Sequence, residues 1–162
     1  MDKVRRTFVN RGATVAFFSA AGPLLALSEP ARAQSSAAAP EWAQGVFGAR
    51  TLLEAVRAMG GTAVTETRDV SWGNTPDIAE NGLVVPISIS TTLAGVESIG
   101  LFIEKNPTPM AALFEVPAGT RASFRTNFKL GESSNVYALV KADGRVLVAR
   151  HEVKVTIGGC GG

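Results

Sequence analysis

From residue 83 to residue 157, apolar and polar residues alternate in short runs broken by glycine, proline and asparagine. That period of two is the signature of half-buried strands. Residues 83–91 alternate Val85, Ile87 and Ile89 against Pro86, Ser88 and Ser90, and Pro86 is expected at an edge or a bulge. Residues 97–104 centre on Ile99, Leu101 and Ile103 and read as a buried strand. Residues 110–116 and 121–130 follow, separated by Pro117-Ala118-Gly119. Residues 135–142 and 145–157 flank Asp143-Gly144, a strong two-residue hairpin signal. Residues 68–72 are a further short strand, and 73–82 a loop with an Asn81-Gly82 turn. Six or seven such strands predict an all-β, immunoglobulin-like antiparallel β-sandwich, and about 110 residues suffice for its core.

The period changes only near the start of this body. Leu52, Leu53, Val56 and Met59 fall on one face of a short helix over residues 50–59, stopped by Gly60-Gly61. Residues 34–48 read as a flexible segment, Ser/Ala-rich to Pro40, with Trp42, Val46 and Phe47 as a possible anchor. The helix and sandwich therefore occupy 49–157.

Residues 1–33 have the pattern of a targeting segment. Arg5-Arg6 opens a basic region, Phe8 follows the pair by two residues, and an apolar stretch runs over 12–27. Ala31-Arg32-Ala33 then offers small residues for cleavage between Ala33 and Gln34. The paired arginines fit a twin-arginine export signal, which implies a periplasmic destination. The apolar stretch, broken by Gly22-Pro23, is short for a membrane span. The segment also carries the basic charge. Its loss removes five bases from 16 and two acids from 14, leaving 11 and 12, a net charge of −1. A near-neutral remainder gives no electrostatic case for nucleic acid or an anionic membrane.

Export changes the meaning of the single cysteine. Cys160 cannot bridge internally, and an odd cysteine in an exported chain points to an intermolecular bond or a free thiol. It sits between Gly158-Gly159 and Gly161-Gly162, so residues 158–162 are expected to form a mobile arm. From residue 158 to the thiol the arm spans roughly 10 Å when extended, and roughly 20 Å if the last strand frays from Val155. An ordinary cysteine, with a pKa of about 8.5, is only slightly ionised at neutral pH, and Lys154 is the nearest base. The thiol is thus expected to stay inert until a partner's site activates it.

Other chemistry is sparse. His151, the only histidine, is expected at the surface of a strand. No Cys/His cluster has zinc spacing, no haem-attachment motif occurs, and no glycine-rich loop opens a helix. No metal, cofactor or catalytic residue is implied.

The glycine-embedded Cys160 resembles the end of the SoxY family. So do Glu80-Asn81-Gly82, Val85-Pro86-Ile87-Ser88, the run from Glu104 to Pro109, and the run from Glu152 to Ile157. The resemblance implies a non-catalytic sulfur carrier of bacterial thiosulfate oxidation, paired with SoxZ as a heterodimer. Cys160 would be the covalent attachment site. SoxAX, a haem enzyme, would join thiosulfate to it, SoxB would release sulfate, and SoxCD, where present, would oxidise the remaining sulfur. Two other readings stay open at this point. One is a ubiquitin-like carrier using its terminal Gly-Gly carboxylate. The other is a structural sandwich dimerised through Cys160.

Overall fold

In a computed structural model, residues 41–157 are described, with side chains from 44 to 156. They form two helices, α1 (Glu41–Gly48) and α2 (Leu52–Ala58), followed by nine strands. These are β1 (Thr65–Glu66), β2 (Val70–Trp72), β3 (Ile78–Asn81), β4 (Val85–Thr91), β5 (Val96–Ile103), β6 (Met110–Glu115), β7 (Ser123–Phe128), β8 (Ser134–Ala142) and β9 (Arg145–Ile157). The larger sheet has the order β1-β9-β8-β5-β6, with β3 also on β9; the smaller is β2-β4-β7.

The two sheets share one core. Ile87 and Ile89 of β4 meet Ile99, Leu101 and Ile103 of β5, Val136, Ala138 and Val140 of β8, and Val153 of β9. All nine are at most 1% exposed, and their spacing is the period of two read along each strand. The fold is therefore mostly β, two sheets packed face to face.

The large sheet also has an outer face. Phe102, Leu139, Val146 and Val148 point there and pack with Val46, Ala49, Ala55, Val56 and Met59 from the helices. The helices thus cover a sheet face that would otherwise expose apolar surface. Their approach is close. A Cβ on Gly100 would stand 2.6 Å from Met110 Cε and 3.0 Å from Met59 Sδ, so a larger residue there would make these flexible side-chain ends shift. Helix α2 starts on a capping box, in which the Thr51 hydroxyl accepts from Glu54 N–H and Glu54 Oε2 accepts from Thr51 N–H. Glu54 also accepts from Arg50 N–H at 2.8 Å, and these backbone donors, Arg50 first, hold its carboxyl below the usual range.

All seven strands expected from the sequence are present. Three features differ. Strand pairing is not wholly antiparallel, because β1 and β3 both run parallel to β9. The loop expected over 73–82 contains β3, and β1 precedes β2. A helix, α1, occupies 41–48, where a flexible segment was expected, and Val46 on it is 2% exposed. Pro86 lies in the half of β4 that β2 does not reach, since β2 pairs only with Ile89, Ser90 and Thr91. No strand there asks it for an N–H.

Candidate functional site

Cys160 and its flanking Gly158, Gly159, Gly161 and Gly162 lie outside the described residues, as do Arg5, Arg6, Ala33 and Gln34 of the expected signal. What the structure places is the strand that leads to the cysteine. At thirteen residues, β9 is the longest element described. Its first part pairs with β8 through the Asp143-Gly144 turn, in which both residues have positive φ, 47° and 71°. That is the conformation a two-residue hairpin with matching twist requires.

The far end of β9 runs beyond β8, whose ladder stops at Ser134↔Val153. Two other contacts take over. Strand β3 pairs alongside, with Ile78 opposite Lys154, Ala79 opposite Val155 and Asn81 opposite Ile157. Lys154 N–H donates to the Asp77 carbonyl at 2.8 Å, and the Thr156 hydroxyl donates to the Glu80 carbonyl at 3.1 Å. On the other side Val155 N–H donates to Ser133 Oγ at 2.9 Å, and that hydroxyl donates to the Val155 carbonyl at 3.4 Å. Residues 154–157 are thus held from both flanks, which opposes the fraying from Val155 considered above. The thiol lies three residues beyond the last paired residue.

The loops around this root are tied to one another. Leu130 N–H donates to the Gly82 carbonyl at 2.8 Å. The Asn106 side chain donates to the Lys129 carbonyl at 2.8 Å and accepts from Gly131 N–H at 3.3 Å. Lys105 N–H donates to Ser134 Oγ, and Asn135 donates to Glu104 at 2.8 Å. The Asn81 side chain accepts from Leu83 N–H at 2.8 Å, so the expected turn is there. Ile78, Leu83 and Val84 stand exposed beside it.

His151 corrects an expectation. Its side chain is only 18% exposed, not a surface group, and its ring stacks on Trp72 with centroids 5.2 Å apart. Odd-numbered residues of this part of β9 face the smaller sheet, and Trp72 comes from that sheet. Sequence reading missed this pair because only pairing across the sheets brings position 72 to position 151. Phe47 is partly exposed, and Trp42's side chain is outside the described set. Among the described residues, no group of three or more His, Asp or Glu is arranged to hold a metal ion. A groove of about 1370 Å³, lined by Arg68, Thr91, Glu97, Val116 and Arg121, opens at the opposite end of the sandwich from the root.

Fold and sequence together define a class: a β-sandwich whose longest described strand is followed in the sequence by a single glycine-flanked cysteine. Residues 56–160 match the family of the sulfur oxidation protein SoxY, and the chain belongs to that family. Among solved structures it is similar to the sulfur carrier protein SoxY from Chlorobium limicola f thiosulfatophilum. Identity is 30%, coverage is 65% of this chain and 96% of that one, and the TM-score is 0.56. A superoxide reductase (neelaredoxin) from Ignicoccus hospitalis aligns at 19% identity, over 54% of this chain and 80% of that one, with a TM-score of 0.47. Compared by sequence with curated proteins, the chain matches none.

Proposed function

We propose that this chain is a non-catalytic sulfur carrier, holding thiosulfate-derived intermediates covalently on Cys160 and presenting them to the enzymes of thiosulfate oxidation. The observation that carries this is the extent of the family match, which runs to residue 160 and so includes the one cysteine in the chain. The similar Chlorobium protein is itself described as a sulfur carrier. The geometry of the root supports the same reading. A tether of roughly 10 Å beyond a doubly clamped strand confines the cargo to one end of a stiff body. Successive enzymes then meet a substrate that cannot diffuse away.

Loading forms a sulfur–sulfur bond between the Cys160 thiol and the outer sulfur of thiosulfate. It releases the thiol proton and two electrons, which a haem enzyme of the SoxAX kind takes up. Hydrolysis by a metal-dependent enzyme of the SoxB kind then removes the sulfonate as sulfate. A SoxCD-type enzyme, where present, oxidises the sulfur left behind. Glycines on both sides of Cys160 present no side chain to a narrow channel. The scaffold is read as an immunoglobulin-like sandwich, in keeping with an edge chain that passes from β1 to β2 and back to β3 across the two sheets. It is paired with SoxZ in a heterodimer. Arg5-Arg6 and the Ala33/Gln34 site make it a periplasmic protein exported folded by the twin-arginine route, and 158–162 its mobile arm.

Replacing Cys160 with serine tests the attachment point. Incubation with thiosulfate and the loading enzyme is expected to leave a mass addition on the parent chain and none on Cys160→Ser. A serine variant that still carries sulfur would place the cargo elsewhere, for instance on a terminal carboxylate.

A further inference from the structure

Residues 129–133 join β7 to β8 and belong to no strand. Backbone groups in such a stretch must find partners elsewhere in the fold. Leu130 anchors its middle: the side chain is fully buried, and its N–H donates to the Gly82 carbonyl at 2.8 Å. The peptide groups on either side of Leu130 are gripped by one side chain. Asn106 donates to the Lys129 carbonyl at 2.8 Å and accepts from Gly131 N–H at 3.3 Å. Its neighbour Lys105 donates its N–H to Ser134 Oγ at 3.1 Å, and Lys105 Nζ lies 3.6 Å from Glu132. Ser133 is thus bracketed in sequence by residues that the β5–β6 connector holds. The connector is itself fixed. Asn106 N–H donates to the Ile103 carbonyl at 3.2 Å, and Arg50 Nη1, from between α1 and α2, donates to the Pro107 carbonyl at 2.6 Å.

We infer that Asn106 is a positioning residue for the cysteine segment, acting through Ser133 on the root of β9. The Ser133 hydroxyl accepts from Val155 N–H at 2.9 Å and donates to the Val155 carbonyl at 3.4 Å. It can do both only while its own backbone is held at a fixed offset from β9. On the far side of Ser133 the hold runs through the Lys105 backbone N–H, which no change of the Lys105 side chain removes. The Lys105–Glu132 pair is exposed on both sides and worth little. On the near side Leu130 supplies burial, and Asn106 supplies orientation by fixing both flanking peptide groups. The site uses both ends of the Asn106 amide. Aspartate cannot donate and alanine can do neither, so neither replaces it. A residue on the β5–β6 connector thus helps fix the point from which the chain beyond Ile157 departs. That this bears on delivery of a thiol rests on the carrier reading above; control of the β9 root does not.

Amide exchange at Val155 in the full chain reads the Ser133 clamp. Asn106→Ala is expected to speed it roughly fivefold, the scale of one lost hydrogen bond, and to leave the amides of the Asp143-Gly144 turn unchanged. Ser133→Ala should speed it as well. Adding Asn106→Ala to that variant should then change Val155 no further, because the path runs through the missing hydroxyl. A general loss of stability would instead add in the double variant and reach the turn. With thiosulfate and the loading enzyme, Asn106→Ala should need more carrier for half-maximal loading at an unchanged limiting rate. Its thiol should react with a small aromatic disulfide at the parent's rate. Unchanged Val155 exchange in Asn106→Ala, or additive effects in the double variant, overturns the assignment. A parent chain that loads, with the same half-saturation in Asn106→Ala, overturns the effect on delivery. A parent chain that does not load overturns the carrier reading and leaves the exchange result standing.

Discussion

The two ends of the sandwich are built by different means. At one end β8 turns into β9 over two residues, Asp143 and Gly144, whose positive φ values are a local property of the chain. Glu97 fastens this turn, 3.1 Å from Lys141 Nζ and accepting from Gly144 N–H at 3.4 Å. At the other end β9 outruns its hairpin partner and is held by residues far away in sequence. Ser133 lies 22 positions from Val155, and Glu80 lies 76 from Thr156. The local end organises a groove; the long-range end organises the departure of the tail. The same strand is thus started by turn chemistry and finished by tertiary contact, and a thiol attached beyond it inherits a fixed origin.

The comparison holds only if one core couples both ends. Leu101 is fully buried at the centre of that core, on a strand whose two ends reach both regions. Leu101→Ala is expected to cost about 2–5 kcal/mol and to melt both ends in one transition. Urea unfolding followed by fluorescence and by amide exchange checks this. Separate transitions would mean the ends are independent.

Ser133→Ala separates them. It deletes the hydroxyl that both accepts from and donates to the Val155 backbone, and is expected to cost about 1 kcal/mol. Faster exchange should appear at Val155 and not at the amides of the Asp143-Gly144 turn. Equal acceleration at both ends would remove the distinction.

Glu97 tests the local end with pH. Hydrogen bonds from Lys141 and then from Gly144 hold its carboxyl below the ordinary value of 4.5. A lowered folded-state value means the stabilisation is present above the unfolded carboxylate's titration and fades as pH falls through the folded one. Because the carboxylate is exposed, the effect is the smallest of the three. The gap in unfolding midpoint between the parent and Glu97→Gln should be open at pH 7 and narrow as pH falls below the ordinary carboxylate range.

This contrast also explains what could be read in advance. The hairpin at 143–144 and the seven main strands follow from residues close in sequence, and so does the helix capped by Thr51. Strands β1 and β3 have two and four residues and are mostly exposed, so no periodicity marks them. They exist because β9 offers an edge. Helix α1 carries Gly45 and Gly48, poor helix formers, and stands because Val46 fills the outer core. Cys160 and its four glycines lie outside the described residues, so for them the sequence pattern speaks alone. The clamp on residues 154–157 was not legible in that pattern, since Ser133 and Glu80 look like ordinary polar loop and edge residues until β9 is placed between them.

The most direct measurement is the mass of the peptide containing Cys160, released without reduction from protein isolated out of cells oxidising thiosulfate. The account predicts additions of sulfur or of sulfur plus sulfonate, confined to that peptide and removed by a thiol reductant. A peptide found only as free thiol or as a symmetric disulfide, from cells actively turning over thiosulfate, would contradict it.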